Sequence, residues 1–265
     1  MYNTNYHRAS STEEAVALIG KAEDGKFVSG GQTLIPTMKQ RLAAPSDLID
    51  LRNIDAMKGI TVDGKQVTIG AGTTHAEVAA SAELAKVCPG ICDLASHIGD
   101  PAVRHMGTIG GSIANNDPAA DYPAAMVALG ADIMTTKRTI AADDFFTGMF
   151  ETALEDDEVI TAVTFAAPDK CAYSKFPNPA SRYAMAGVFV AQSGGGVKVG
   201  VTGAGSDGVF RHEGMESALS SNFNADALAS VSVDVGMMLS DIHGDAAYRA
   251  NLVKVMAKRA VAAAS

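Results

Sequence analysis

The chain has 265 residues, of which 47% are apolar, 19% are charged and 26 are glycines, enough to bury one large or two modest hydrophobic cores. A formal net charge of −9 excludes a nucleic-acid partner of the ordinary kind, because neutralising phosphates needs clustered lysine and arginine. The first residues lack the basic stretch and apolar run of a secretory signal, and no segment reaches the ~18 apolar residues of a spanning helix, so a cytoplasmic protein without a transmembrane segment is expected.

In chain order, Ser11-Thr12-Glu13-Glu14 has capping-box spacing, and Ala15, Leu18 and Ile19 follow at helical spacing. Lys26-Phe27-Val28 reads as a short strand entering Ser29-Gly30-Gly31-Gln32-Thr33, after which Leu34, Ile35, Met38 and Leu42 supply a helical face. Asp63-Gly64 lies between two β-rich runs, 60–62 and 67–69, and predicts a type I′ hairpin. Thr74 with Glu77 repeats the capping-box spacing, which makes Gly70-Ala71-Gly72 a strand-to-helix turn. Residues 98–117 carry four glycines and little periodicity and read as a long ordered loop, a kind of segment that often carries function. A helix from Pro123 stops at Gly130, and a strand follows over 131–135.

Near residue 170 the texture changes. Strands are expected over 183–191 and 196–202, joined by Ser193-Gly194-Gly195-Gly196, with a packing helix over 245–263. The chain therefore divides into two domains, 1–170 and 171–265.

Cys88, Cys92 and Cys171 are too few and too scattered for an iron–sulfur cluster or structural zinc. Their odd number argues against a disulfide framework, which leaves buried free thiols. The histidines at 7, 75, 97, 105, 212 and 243 form no close ligand pair. Chemistry is better sought in the two glycine clusters, Ser29 to Thr33 and Thr108-Ile109-Gly110-Gly111-Ser112, because consecutive glycines bare backbone N–H groups to which phosphates bind. A paired-glycine turn equally serves the backbone alone. Neither cluster is the G-x-G-x-x-G fingerprint or a P-loop, and Gly203-Ala204-Gly205 reads as a turn.

Residues 28–42, VSGGQTLIPTMKQRL, and 98–130, IGDPAVRHMGTIGGSIANNDPAADYPAAMVALG, resemble the two flavin-binding signatures of the medium subunit of carbon monoxide dehydrogenase and its xanthine dehydrogenase relatives, the molybdenum hydroxylase family. The resemblance runs through nearly the whole chain, including KFPNPASRY at 175–183 and VTGAGSDGVFR at 201–211. It implies an α+β fold, a two-lobed FAD-binding domain of the vanillyl-alcohol-oxidase (PCMH) type followed by a small α+β C-terminal domain. The implied cofactor is non-covalent FAD, its diphosphate and neighbouring groups held by Ser29, Gly30, Gly31, Gln32, Thr33, Leu34, Ile35 and Pro36 together with Thr108, Ile109, Gly110, Gly111 and Ser112.

Four further positions follow from the same resemblance. Asp121 matches an acid near the cofactor, able to accept ribityl or ribose hydroxyls; on its own it reads as the N-cap of the helix at Pro123. Ile160 matches a position that packs on FAD and is otherwise an ordinary strand residue. Lys175 matches a lysine by the flavin, where a cation tunes the potential, against the plain reading of a solvated lysine. Tyr183 stands where a ring would stack on the isoalloxazine, or is a buried strand tyrosine.

The resemblance implies an electron-transfer subunit that transforms no substrate itself. FAD would be fed by iron–sulfur clusters on a small subunit, reduced in turn by the molybdopterin centre of a large subunit, in a dimer of heterotrimers. No catalytic acid or base is required of this chain. A self-contained flavin-dependent oxidase or reductase is the rival reading, with His75 or His105, beside the glycine turns, as the point of a covalent link to FAD.

Overall fold

The computed structural model describes residues 1–194 and 196–264. Strands β1 (Asn5–Arg8), β2 (Gly25–Val28) and β3 (Asp47–Asp50) form a parallel sheet with β3 in the middle. Parallel neighbours need crossovers, and helices α1 (Thr12–Ile19) and α2 (Leu34–Lys39) supply them. Ser11 caps α1 by accepting from the Glu14 N–H, but the Glu14 carboxylate turns back to the N–H and hydroxyl of Ser10, at 2.8 and 2.6 Å, so the return half of the expected capping box is shifted by one residue. Helix α2 stops at Lys39 because Arg41 takes a φ of 62°, which throws Leu42 out to 80% exposure. Leu42 is therefore not part of the expected helical face; Met38 is, packed with Val28 and Leu48.

A second, antiparallel sheet has the order β4 (Ile60–Asp63), β5 (Gln66–Gly70), β10 (Ile160–Ala166), β6 (Asp132–Thr135), β7 (Thr139–Ala141). Asp63 pairs with Gln66, so the turn residues are Gly64 and Lys65, and of the two only Gly64 has positive φ, 58°. That is the pattern of a type II′ turn, one residue later than the type I′ turn expected on Asp63-Gly64.

Between β5 and β6 lie α3 (His75–Ala80), α4 (Ala82–Val87), α5 (Pro89–Ser96), α6 (Pro101–Arg104), α7 (Ile109–Asn115) and α8 (Tyr122–Leu129). Thr74 and Glu77 make the full reciprocal capping box at α3. Residues 98–117 are not the expected loop: Asp100 caps α6 and Thr108 caps α7 with their side chains, and helices of four and seven residues are too short to leave a period in the sequence. Gly130 ends α8 with a φ of 59°, as a C-terminal glycine should. Helix α9 (Ala142–Phe145) and the small ribbon β8 (Phe146–Gly148) with β9 (Glu151–Thr152) complete this part.

The chain then enters an antiparallel sheet of β11 (Lys170–Pro177), β12 (Ala184–Ser193), β13 (Gly196–Thr202) and β14 (Phe210–Arg211), followed by α10 (Glu213–Ser221) and α11 (Ala246–Ala263). Ser193 pairs with Gly196 in the expected hairpin, of which Gly195 lies outside the described residues. Strand β12 is buried on both faces. Val188 and Val190 pack with Val253, Met256 and Ala257 of α11, while the intervening Phe189 and Ala191 point into the larger core with Leu94 and Tyr122. This alternation makes β11–β12 the wall on which α5 and α8 rest. No helix among the described residues is long and apolar enough to cross a membrane.

Candidate functional site

Strand β2 delivers the chain into the first glycine turn. Gly31 has a φ of 69°, and a Cβ there would also meet Ile35 at 2.9 Å. A Cβ on Gly30 would lie 2.2 Å from the Met106 carbonyl oxygen and 2.6 Å from the Gly107 Cα, so only glycine lets this turn press against the second one. The carbonyls of Gly30 and Gly31 are taken, by the Gln32 amide at 3.0 Å and the Ile35 N–H at 3.2 Å. The N–H groups of Gly30, Gly31, Gln32, Thr33 and Leu34 find no acceptor among the described residues. A run of unpaired donors on one turn is what an anionic group binds.

The second turn is built differently. Its N–H groups are used within the chain: Ile109 donates to Thr73 O at 3.1 Å, Gly110 to Ala71 O at 2.9 Å, Gly111 to Thr108 Oγ1 at 3.2 Å and Ser112 to Thr108 O at 3.0 Å. Gly110 is needed for close approach, since a Cβ would sit 2.6 Å from that of Ala71. The turn thus has side-chain hydroxyls to offer a ligand where bared N–H groups were expected. Ser29 Oγ and Thr108 Oγ1, 3.0 Å apart, join the two turns.

Both turns open on one cleft of about 920 Å³, at the large end of the range for cofactor sites. Ser29 to Leu34, Thr108, Gly110, Gly111, Ser112, Asp121, Ile160, Lys175 and Tyr183 line it. Ile35, Pro36 and Ile109 do not: Ile35 packs beneath Gly31, Pro36 lies within α2, and Ile109 is wholly buried in the core. Ile160, 5% exposed, opens β10 at a register shift and meets the cleft from the opposite lobe. Tyr183 is 48% exposed beside Arg182, whose φ is 64°, in the loop that joins β11 to β12. It is therefore not a buried strand residue.

Across the cleft stands a buried ion pair. Lys175 Nζ donates to the Asp121 carboxylate at 3.0 Å and to His97 O at 3.2 Å, with the two charged side chains 3% and 5% exposed. Tyr173, two residues before Lys175 on the same face of β11, donates its hydroxyl to the other side of Asp121. Burial pushes the Asp121 carboxyl above its usual range, with Lys175 and the Tyr173 hydroxyl pulling the other way. Asp121 makes no N-cap bond, and Lys175 is not a solvated lysine. The sequence signal for Tyr173 is its alternation with Lys175 on strand β11.

His75 also belongs to the wall. It is 4% exposed, its ring lies 5.4 Å from that of Tyr122, and its Nδ1 has no partner among the described residues. Burial lowers its pKa to about 4, so the imidazole is neutral at pH 7. His105 is exposed and bonded at Nδ1 to Pro101 O, 2.7 Å away.

Residues 2–168 match the family described as the FAD binding domain in molybdopterin dehydrogenase. The carbon monoxide dehydrogenase medium chain of Afipia carboxidovorans is 37% identical over 97% of this chain and 95% of its own. The nicotine 6-hydroxylase medium subunit of Paenarthrobacter nicotinovorans is 34% identical over 97% of this chain and 95% of its own. Among solved structures, a chain of the Cu,Mo-CO dehydrogenase in its cyanide-inactivated form is similar with a TM-score of 0.89 at 36% identity, covering 99% of this chain and 98% of that one. A chain of quinoline 2-oxidoreductase from Pseudomonas putida 86 gives a TM-score of 0.86 at 26% identity, covering 98% and 96%.

Proposed function

Because this chain belongs to the family of FAD-binding medium subunits of molybdenum hydroxylases, we propose that it is the electron-transfer subunit of such a complex, carrying electrons from iron–sulfur clusters of a partner to an external acceptor. It is an oxidoreductase component with an α+β fold whose FAD-binding part is of the two-lobed vanillyl-alcohol-oxidase (PCMH) type. We assign residues 1–170 to that domain and 171–265 to the small C-terminal one. The observation that carries the reading is the run of unpaired N–H groups from Gly30 to Leu34, opening on a cleft of about 920 Å³.

The residues present fit FAD. The first glycine turn presents donors to a diphosphate with no side chain in the way, and Ser29, Thr108 and Ser112 add hydroxyls at the same level of the cleft. Asp121 keeps lone pairs beyond those engaged by Tyr173 and Lys175, with which it would accept from sugar or ribityl hydroxyls of a bound FAD. Ile160 and Tyr183 contribute apolar and aromatic wall. Bound FAD supplies the one- and two-electron chemistry that connects the partner's clusters to the acceptor. The Lys175–Asp121 pair sets the local charge, and the neutral His75 adds none. No general acid or base is required from this chain.

The partners on this reading are a large molybdopterin-binding subunit and a small iron–sulfur subunit, in a cytoplasmic dimer of heterotrimers. Affinity purification of the tagged chain from its own cells tests it. Co-elution of two further subunits with molybdenum, iron and FAD is the expected result, whereas a chain that elutes alone and turns over an organic substrate by itself would replace the reading with a self-contained flavin enzyme.

A further inference from the structure

Cysteines 83 residues apart in the chain meet in the fold. Cys88, wholly buried, is the residue before α5, and Cys171, 2% exposed, is the second residue of β11; their Sγ atoms are 3.6 Å apart. Gly90 makes the approach possible, since a Cβ there would lie 3.0 Å from the Ala172 Cα. Cys92, on the next turn of α5, faces elsewhere and donates to Ser81 O at 3.8 Å.

This contact lies at one end of the packed pair α5 and β11. From Cys88 to His97 the helix advances about 13 Å, and from Cys171 to Lys175 the strand advances about 13 Å as well. At the far end of both, Lys175 Nζ holds His97 O at 3.2 Å. The thiols thus sit at one end of this packed pair and a cleft-lining lysine at the other.

Cys88 is sealed from solvent, and Cys171 reaches the edge of a pocket. Cys171 lines a second pocket of about 480 Å³, bordered by Lys65, Lys86, Pro89, Pro168 and Asp169, none of which lines the cleft. The contact between the two thiols draws the Cys171 pKa below that of an ordinary thiol, while the same contact and burial push Cys88 well up. Of the two, Cys171 is the sulfur on the wall of the pocket, with Cys88 behind it.

We propose that Cys171 and Cys88 form a peroxide-sensitive redox pair, with Cys171 as the attacking sulfur and Cys88 as the resolving thiol. The Cys171 sulfur attacks one oxygen of hydrogen peroxide, the O–O bond breaks, and the second oxygen leaves as water, giving a sulfenic acid. The Cys88 sulfur then attacks that sulfenic sulfur, an S–S bond forms, and the hydroxyl leaves as a second water. Two thiols lose two electrons and two protons, and one peroxide becomes two waters. The product ties α5 to β11 covalently at the end opposite the Lys175–His97 contact, and a thiol reductant reverses it.

The test uses the wild-type, FAD-loaded chain, treated with hydrogen peroxide, quenched with catalase, unfolded in N-ethylmaleimide and digested for peptide mass spectrometry. A free cysteine-containing peptide in the same tube certifies the exposure. The expected result is a Cys88–Cys171 disulfide peptide, two hydrogens lighter than the sum of its halves, with Cys92 fully alkylated and the crosslink lost after dithiothreitol. In Cys88→Ser, Cys171 should instead be trapped by dimedone as sulfenic acid. Wild-type Cys171 alkylated as fully as Cys92, or Cys171 carried to sulfinic acid while Cys88 remains a thiol, overturns the proposal.

Discussion

The hydroxyls of Ser29 and Thr108, 79 residues apart in sequence, lie 3.0 Å from each other and hold the two glycine turns in one wall. The turns share a composition but divide the work. The first leaves its N–H groups unpaired among the described residues, and the second uses its own on Ala71, Thr73 and Thr108.

This division gives opposite expectations for two glycines. In Gly30→Ala the new methyl has to displace the Met106 carbonyl, 2.2 Å away, and a loss of about 2 to 3 kcal/mol in folding stability is expected together with loss of FAD. Gly111→Ala meets only Thr108 Oγ1 at 3.1 Å and Ser29 Cβ at 4.0 Å, within a helix, so stability should change by less than about 1 kcal/mol. Gly111→Val, which projects into the cleft, should weaken FAD binding more than it lowers the melting temperature. Melting curves with FAD titrations measure both; equal losses of stability at the two positions would contradict the assignment.

Lys175 and Asp121 are best judged together. Lys175→Met strands a buried carboxylate and should cost about 3 to 5 kcal/mol, much of which Asp121→Asn in the same chain should restore. Lys175→Met also makes the cleft more negative and should lower the FAD reduction potential, whereas Asp121→Asn should raise it. Spectroelectrochemical titration of both variants reads the signs, and an unmoved potential in each would remove the pair from any electronic role.

Acid should act first through His75. Its folded pKa, about 4, lies below the ordinary value of 6.5, so the unfolded chain takes up the proton more readily. Stability is therefore full above pH 6.5 and falls as pH drops toward 4. Thermal unfolding followed over that interval should show the fall in the wild type and a flatter profile in His75→Gln.

A second acid window belongs to Glu158, near Ile160 at the edge of the cleft. Its carboxylate is gripped by Arg138 at 3.0 Å and by the Thr135 hydroxyl at 2.6 Å. These bonds outweigh burial and hold its pKa at about 2 against an ordinary 4.5. The contribution is present above pH 4.5 and lost as pH falls toward 2. With Arg138 about half exposed, roughly 2 kcal/mol is at stake, and Glu158→Gln should flatten the profile in that interval only.

What the sequence makes legible here is local. The Thr74–Glu77 capping box, the Gly130 stop and the Ser193–Gly196 hairpin each depend on a few neighbouring residues. The glycine turns are visible too, but composition does not tell that Gly110 is needed for packing on Ala71 while the turn at Gly30 keeps its donors free. Contacts between distant segments are hidden. Tyr173 reaches Asp121 across 52 residues and Cys88 reaches Cys171 across 83, and no periodicity records either. Helices as short as α6 and α7 escape for the same reason, and Leu42 is misplaced because the left-handed Arg41 ends α2 early.

On this reading the chain holds FAD without a covalent bond, through its glycine-turn cleft. The most direct measurement is the flavin content of the purified chain after saturation with FAD, desalting and acid precipitation. One FAD per chain, released intact into the acid supernatant and lost in Gly30→Ala, is the predicted result. A chain that takes up no flavin at saturating FAD, or one whose flavin stays in the acid pellet, would contradict it.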